Sequence, residues 1–132
     1  METAADKLSA LTWRILARNR NHDNDDPTMI RHLHDLAALS DYIGNDFEVF
    51  SSAARTAIAR DKERRRGGET IQHLSDKLRL EQTVEILKTD HSYRHEYEEF
   101  VLAMSYADDD EKLSFDEAIS RLEKLINRYL RS

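Results

Sequence analysis

The side chains of this sequence best suited to chemistry are three cations on one amphipathic segment and a carboxylate on the next. Lys7, Arg14 and Arg18 fall along one edge of the stripe made by Leu8, Leu11 and Ile15 when the chain is wound at ~100° per residue. An ammonium is a compact, mobile point charge suited to the oxygens of a polyphosphate, and two guanidinium groups extend that positive edge. The bland alternative for Lys7 is a lysine snorkelling outward from the rim of an apolar stripe. In the second segment, PTMIRHLHDLAAL over 27–39, Ile30, Leu33 and Ala37 form the apolar stripe. Arg31, Asp35, Ala38 and Tyr42 share a separate face. Arg31 and Asp35 can simply pair with each other at i,i+4, a contact of ~0.3–0.5 kcal/mol. Two amphipathic helices joined by a short loop pack antiparallel, which turns Lys7 and Asp35 toward a common crevice.

Other constellations are weaker. His32 and His34 lie roughly 160° apart around a helix and cannot grip one ion, and the i,i+4 spacing of a helical zinc site is missing there. The acidic loop NHDNDD over 21–26 resembles a calcium loop in composition only, lacking its glycine and its distant glutamate. His91 and His95 have i,i+4 spacing but no evident third ligand, so no metal site is expected. Tyr93, Tyr97 and Phe100 could stack on a base, but at helical spacing they read first as core.

The elements that must position these groups are all helical. Three Gly and one Pro in 132 residues are too few for a protein built on many tight turns, and the length suits one domain. Asp26 as N-cap with Pro27 at the first helical position opens the second helix. The first helix is predicted over about 3–19, and the second to near Ile43 with Gly44 as a left-handed C-cap. Asn45 is expected to cap the third, with Glu48 three residues on. Gly67–Gly68 reads as an internal hinge, and a shift of apolar phase predicts either a kink or a short break near Arg79 in the segment 70–88. Asp90 caps the next helix, and Ser114 with Glu117 forms a capping box for the last. The expected fold is an all-α, compact bundle of about six helices in a single domain, with the motif-bearing pair in 1–44 and the remaining helices in 45–132.

Charged residues make up 35% of the chain and its net charge is −6, which argues against a surface that is basic throughout. Positive residues gather in 55–66 and can form a local patch for an RNA stem or a triphosphate, or equally the solvated end of a helix. No apolar run approaches a membrane span, no signal peptide opens the chain, and there is no cysteine. A cytoplasmic protein without membrane contact is the expectation.

Glu2, Lys7, Ala10, Leu11 and Arg14 spell E-x4-K-x2-A-L-x2-R, and 31–36 reads R-H-L-H-D-L. In this order they resemble the third and fourth motifs of the AbiEii/AbiGii nucleotidyltransferase toxin family, whose commoner form of the second is R-D-x-Y-D-L. YRHEYEEFVLAMSYA and SFDEAISRLEKL resemble the C-terminal region of that family, so the likeness covers nearly the whole chain. His32 stands where Asp is usual, and His34 where an aromatic is usual.

The resemblance implies catalytic roles for Lys7 and Asp35. It implies triphosphate binding by Lys7, Arg14 and Arg18, with Glu2 and Arg31 in support. For the full-length family it implies Mg²⁺, a nucleoside triphosphate, transfer of a nucleotide to a target such as tRNA, and an antitoxin partner. Enzymes of this superfamily hold metal and phosphates on a Gly-Ser turn and a strand-borne D-x-D, and this sequence contains neither. It therefore corresponds to the helical C-terminal part without the α/β nucleotidyltransferase core, and is expected to be inactive alone. The alternative is a freestanding, non-catalytic helical module that binds RNA or an antitoxin.

Overall fold

Leu8, Leu11 and Ile15 recur with helical period, and helix α1 spans Glu2–Ala17 with all three buried. In the computed structural model, which describes residues 1–64, 75–104 and 113–132, the other α-helices are α2 (Arg31–Ala38), α3 (Ser40–Asn45), α4 (Phe47–Arg64), α5 (Asp76–Thr89), α6 (His91–Leu102) and α7 (Phe115–Arg131). A single 3₁₀ turn, Pro27–Ile30, leads into α2. Among the described residues there are seven α-helices and no strand, so the protein is an all-α, compact bundle. No described helix is long and apolar enough to cross a membrane.

Local signals set most helix starts. Asp26 Oδ1 accepts the Thr28 N–H at 3.0 Å, with Pro27 in the first turn, where its missing donor costs nothing. Asp90 accepts from Ser92 N, and Ser114 accepts from Glu117 N. The Glu117 carboxylate itself takes a hydrogen bond from Arg121 Nε.

Long-range packing decides the rest. The second helix does not run on to Ile43. It stops at Ala38, the chain turns at Leu39 (φ −89°, ψ 5°), and α3 restarts at Ser40. The turn lets Ile43 reach the core, and Arg121 of α7 donates to the Ala37 carbonyl at 3.1 Å and reaches the Ser40 hydroxyl at 3.2 Å. Gly44 lies inside α3 without positive φ, so it is not the left-handed cap. Asn45 ends α3 and does not open α4, which follows Asp46. Helix α5 runs without a kink from Asp76 through Arg79, and the nearby break in helical conformation is at Ser75, which caps it. The part of the segment before Ser75 lies outside the described residues. The phase shift is absorbed by burying Arg79 over the Trp13 ring, 5.4 Å from its centroid, while Leu78 faces solvent. The expected hinge at 67–68 lies outside the described residues.

One apolar cluster draws buried side chains from all seven helices. Ala54 and Ala57 give α4 a small-residue face where it meets α1. The aromatic stripe of α6 is core: Tyr93 and Tyr97 are buried, and Phe100 packs against the cluster. Tyr97 donates its hydroxyl to the Leu113 carbonyl at 2.7 Å, which satisfies the polar tip that burial would otherwise strand.

Candidate anion site on the first helix pair

Helices α1 and α2 run in opposite senses. Lys7, early in α1, meets Asp35, late in α2, while Arg14, two turns further along α1, meets Asp26 at the entry to α2. Lys7 Nζ lies 2.8 Å from Asp35 Oδ2, with side chains 24% and 35% exposed. The contact is a charge-assisted hydrogen bond at the surface of the helix pair, within reach of a solute. Asp35 thus pairs across helices rather than with Arg31 on its own helix. Arg31 is exposed and has no ion-pair partner among the described residues. Arg14 is partly exposed, and its contact to Asp26 is long at 3.9 Å.

His32 shares the α1-facing side of α2 with Asp35, one turn away. It is half-buried, and its Nδ1 is sealed from solvent with no hydrogen-bond partner. Burial pushes its pKa below the ordinary imidazole value, and the cations Lys7, Arg14 and Arg31 push the same way, with Asp35 opposing. The imidazole is therefore neutral at pH 7. His34 points the opposite way, into the core, 6.1 Å from the rings of both Tyr97 and Phe100. It packs in the core as an aromatic ring would.

Arg18 is positioned elsewhere. It lies eleven residues beyond Lys7, roughly 16 Å along the helix axis. Its side chain is 6% exposed and is held by two carboxylates: Nε is 2.8 Å from Asp25 Oδ1, and Nη2 is 2.5 Å from Glu96 Oε2. These partners raise the guanidinium pKa further, and Arg18 in turn holds the Asp25 carboxyl below its usual range. Arg20 joins the same group, pairing with Glu96 and stacking over Tyr93 at 4.6 Å. Glu2 is exposed at the start of α1 and borders a different groove, beside Asp6 and Glu48 of α4. The structure therefore brings Lys7, Arg14, Arg31, His32 and Asp35 to one surface, and leaves Arg18 and Glu2 outside it.

Beside this surface is an open cleft of about 360 Å³, walled by Trp13, Arg14, Arg18, His22, Asn24 and Asp26. Arg14 borders both features. The loop that forms the far wall is pinned by the Arg18–Asp25 contact and by the Asp26 cap. The Arg18–Glu96 tie was not readable from spacing. Glu96 is remote in sequence, and its one local signal is that it lies three residues from Tyr93 on the same face of α6.

A divalent cation does not fit the side chains on this surface. Asp35 is its only carboxylate at the centre and is occupied by an ammonium. Among the described residues no three His, Asp or Glu side chains converge in ligating geometry. The surface can instead attract an anion: three cations and a neutral imidazole outnumber two carboxylates, Asp35 at the centre and Asp26 beside Arg14.

Residues 1–121 match the family model described as "Nucleotidyl transferase AbiEii toxin, Type IV TA system". No curated protein and no solved structure matches the chain.

Proposed function

Because the chain belongs to the AbiEii nucleotidyltransferase toxin family of type IV toxin–antitoxin systems, we propose that its α1–α2 surface is the polyphosphate-binding wall of a nucleotide-transfer site. The observation that carries this reading is the Lys7–Asp35 contact at 2.8 Å, made across two helices and flanked by Arg14 and Arg31. The carboxylate holds the flexible lysine in one orientation while no anion is present. An incoming triphosphate takes over the ammonium and draws on Arg14 and Arg31 for further charge neutralisation. Phosphoryl-group chemistry depends mainly on such positioning and neutralisation.

Arg18 acts at one remove. Its charge is already matched by Asp25 and Glu96, so it braces the wall of the neighbouring cleft and does not contact phosphate itself. Glu2 has no part in the phosphate contact.

Mg²⁺ and the metal-binding carboxylates belong to the D-x-D segment of the complete family enzyme. That segment is absent from these 132 residues, and no step is assigned to metal here. The chain alone accordingly transfers no nucleotide. Within a complete enzyme it would help deliver a nucleotide from a nucleoside triphosphate to an RNA acceptor such as tRNA, opposed by an antitoxin. The second reading, a non-catalytic module engaging RNA or the antitoxin, is favoured by that same missing motif. Incubating the purified chain with labelled nucleoside triphosphates, Mg²⁺ and total tRNA tests the division of labour. No label transfer is expected, whereas transfer abolished by Asp35→Ala would show that the chain is a complete enzyme.

A further inference from the structure

His32 lies among the charged groups of the site without a hydrogen-bond partner among the described residues, and neither the polyphosphate reading nor the family match gives it a role. The groups facing it are Lys7 and Arg14 from α1, Arg31 and Asp35 from α2, and Asp26 at the entry to α2 beside Arg14. Helices α6 and α7 press on the far side of α2, through Tyr97 and Phe100 against His34 and through Arg121 at the Ala37 carbonyl. The Nδ1 edge of His32 is closed off, so any exchange with solvent or ligand runs through the Nε2 edge of this half-buried ring.

We infer that His32 is an additional anion-contacting residue of the α1–α2 surface, one that takes up a proton from solvent when a polyphosphate docks and becomes the site's fourth positive charge. The inference rests on the polyphosphate reading above and names a residue and a proton that reading does not need. Without a ligand, burial and three neighbouring cations keep the ring neutral. A docked polyanion cancels the repulsion from those cations and leaves burial as the main cost of charging the ring, so the imidazolium form becomes more favourable than in the free protein. Linkage requires the converse: a protonated His32 must tighten polyanion binding by the same factor that the polyanion shifts its protonation.

The sign follows. Above both His32 pKa values, free and loaded, the residue adds nothing. As pH falls through the loaded value its contribution appears, and it is complete below the free value. Substituting Asp at this position would reverse the sign, adding a negative charge where the phosphates come in.

The test is a histidine-ring NMR titration of the full chain with and without saturating tripolyphosphate, the His32 signal being assigned with His32→Gln. The expected result is a His32 midpoint about one pH unit higher in the loaded protein, matching a coupling of about tenfold. In parallel binding isotherms, the affinity of wild type relative to His32→Gln should rise as pH falls from about 8, reaching about tenfold only below the free His32 midpoint that the NMR titration reads. The ligand's own titration is common to both proteins and cancels in that ratio. The wild-type NMR readout serves even if the variant folds poorly, and His32→Asn provides a second assignment. A His32 midpoint unmoved by tripolyphosphate that binds in a Lys7-dependent way overturns this inference and leaves the polyphosphate site standing. Tripolyphosphate that fails to bind, or binds equally well to Lys7→Ala, overturns both.

Discussion

Arg18 and Glu96 meet face to face across 78 positions of sequence, with Nη1–Oε1 at 3.0 Å and Nη2–Oε2 at 2.5 Å. The pair is two parallel hydrogen bonds between planar groups, the geometry in which arginine is not replaceable by lysine. It ties the end of α1 to α6, and through Asp25 it also fixes the loop that walls the neighbouring cleft.

Removing Arg18 should therefore be costly. Arg18→Ala leaves Asp25 without its hydrogen-bonded cation and Glu96 with Arg20 alone, a loss of about 2 kcal/mol, below that of a fully buried charge left with no partner. Urea unfolding should show that loss, and Arg18→Lys should recover less than half of it. A loss within about 0.5 kcal/mol, the range of an ordinary surface substitution, would mean that the pair is not a brace.

The same contact sets an acid dependence. Asp25 is depressed below its ordinary pKa of 3.8, mainly by the Arg18 hydrogen bond. A depressed carboxylate contributes stability that is full above its unfolded value and is lost as pH falls through its folded value. The stability of wild type should thus fall as pH drops below about 4, and that slope should be shallower in Arg18→Ala. Thermal melts from pH 5 to pH 2 would read both.

Much of the fold was legible because its signals are local. The caps at Asp26, Asp90 and Ser114 need only a side chain and an N–H two or three residues away. The buried stripe of α7 needs only its own periodicity. The break at Leu39 was hidden because its cause is distant: Arg121, 84 residues beyond Ala37, satisfies the carbonyl there. The smooth course of α5 through Arg79 was hidden for the same reason, since Trp13 of α1 receives that side chain. In the site, the approach of Lys7 to Asp35 followed from which helix faces the motifs occupy. The withdrawal of Arg18 into a carboxylate pair did not, because Glu96 sits in another helix.

Gly44 offers a test of that difference. As a left-handed cap it would resist alanine, whereas within α3 and without positive φ it should welcome it. An added Cβ would meet only Arg128 Nη1, at 3.7 Å, an ordinary contact. Gly44→Ala should stabilise the protein by about 0.5–1 kcal/mol in urea unfolding. A destabilisation of that size would contradict the helical placement.

His34 is buried with both ring nitrogens lacking hydrogen-bond partners. His34→Phe removes those stranded polar atoms while keeping a ring against Tyr97 and Phe100, and should raise stability by about 1 kcal/mol. His34→Asn keeps the polarity, loses the ring contact, and should lower it. Chemical unfolding of the two variants side by side checks the order.

In the proposed site Asp35 competes with the anion for the Lys7 ammonium. Asp35→Asn removes the charge that competes for the ammonium, so bare tripolyphosphate should bind about two- to fivefold more tightly, in keeping with a partly exposed ion pair of ~0.5–1 kcal/mol. Calorimetric titration at low salt reads this directly, and weaker binding would mean that Asp35 helps the anion rather than competing with it.

The most direct measurement is the affinity of the chain for tripolyphosphate in wild type, Lys7→Ala and Lys77→Ala, over a range of salt concentrations. The two substitutions change net charge equally, but Lys77 lies 71% exposed on α5, away from the α1–α2 surface. Lys7→Ala should weaken binding about tenfold at low salt and flatten its salt dependence, because charge neutralisation supplies most of the affinity. Lys77→Ala should change it less than about twofold. Equal losses from the two substitutions would contradict an anion site centred on Lys7.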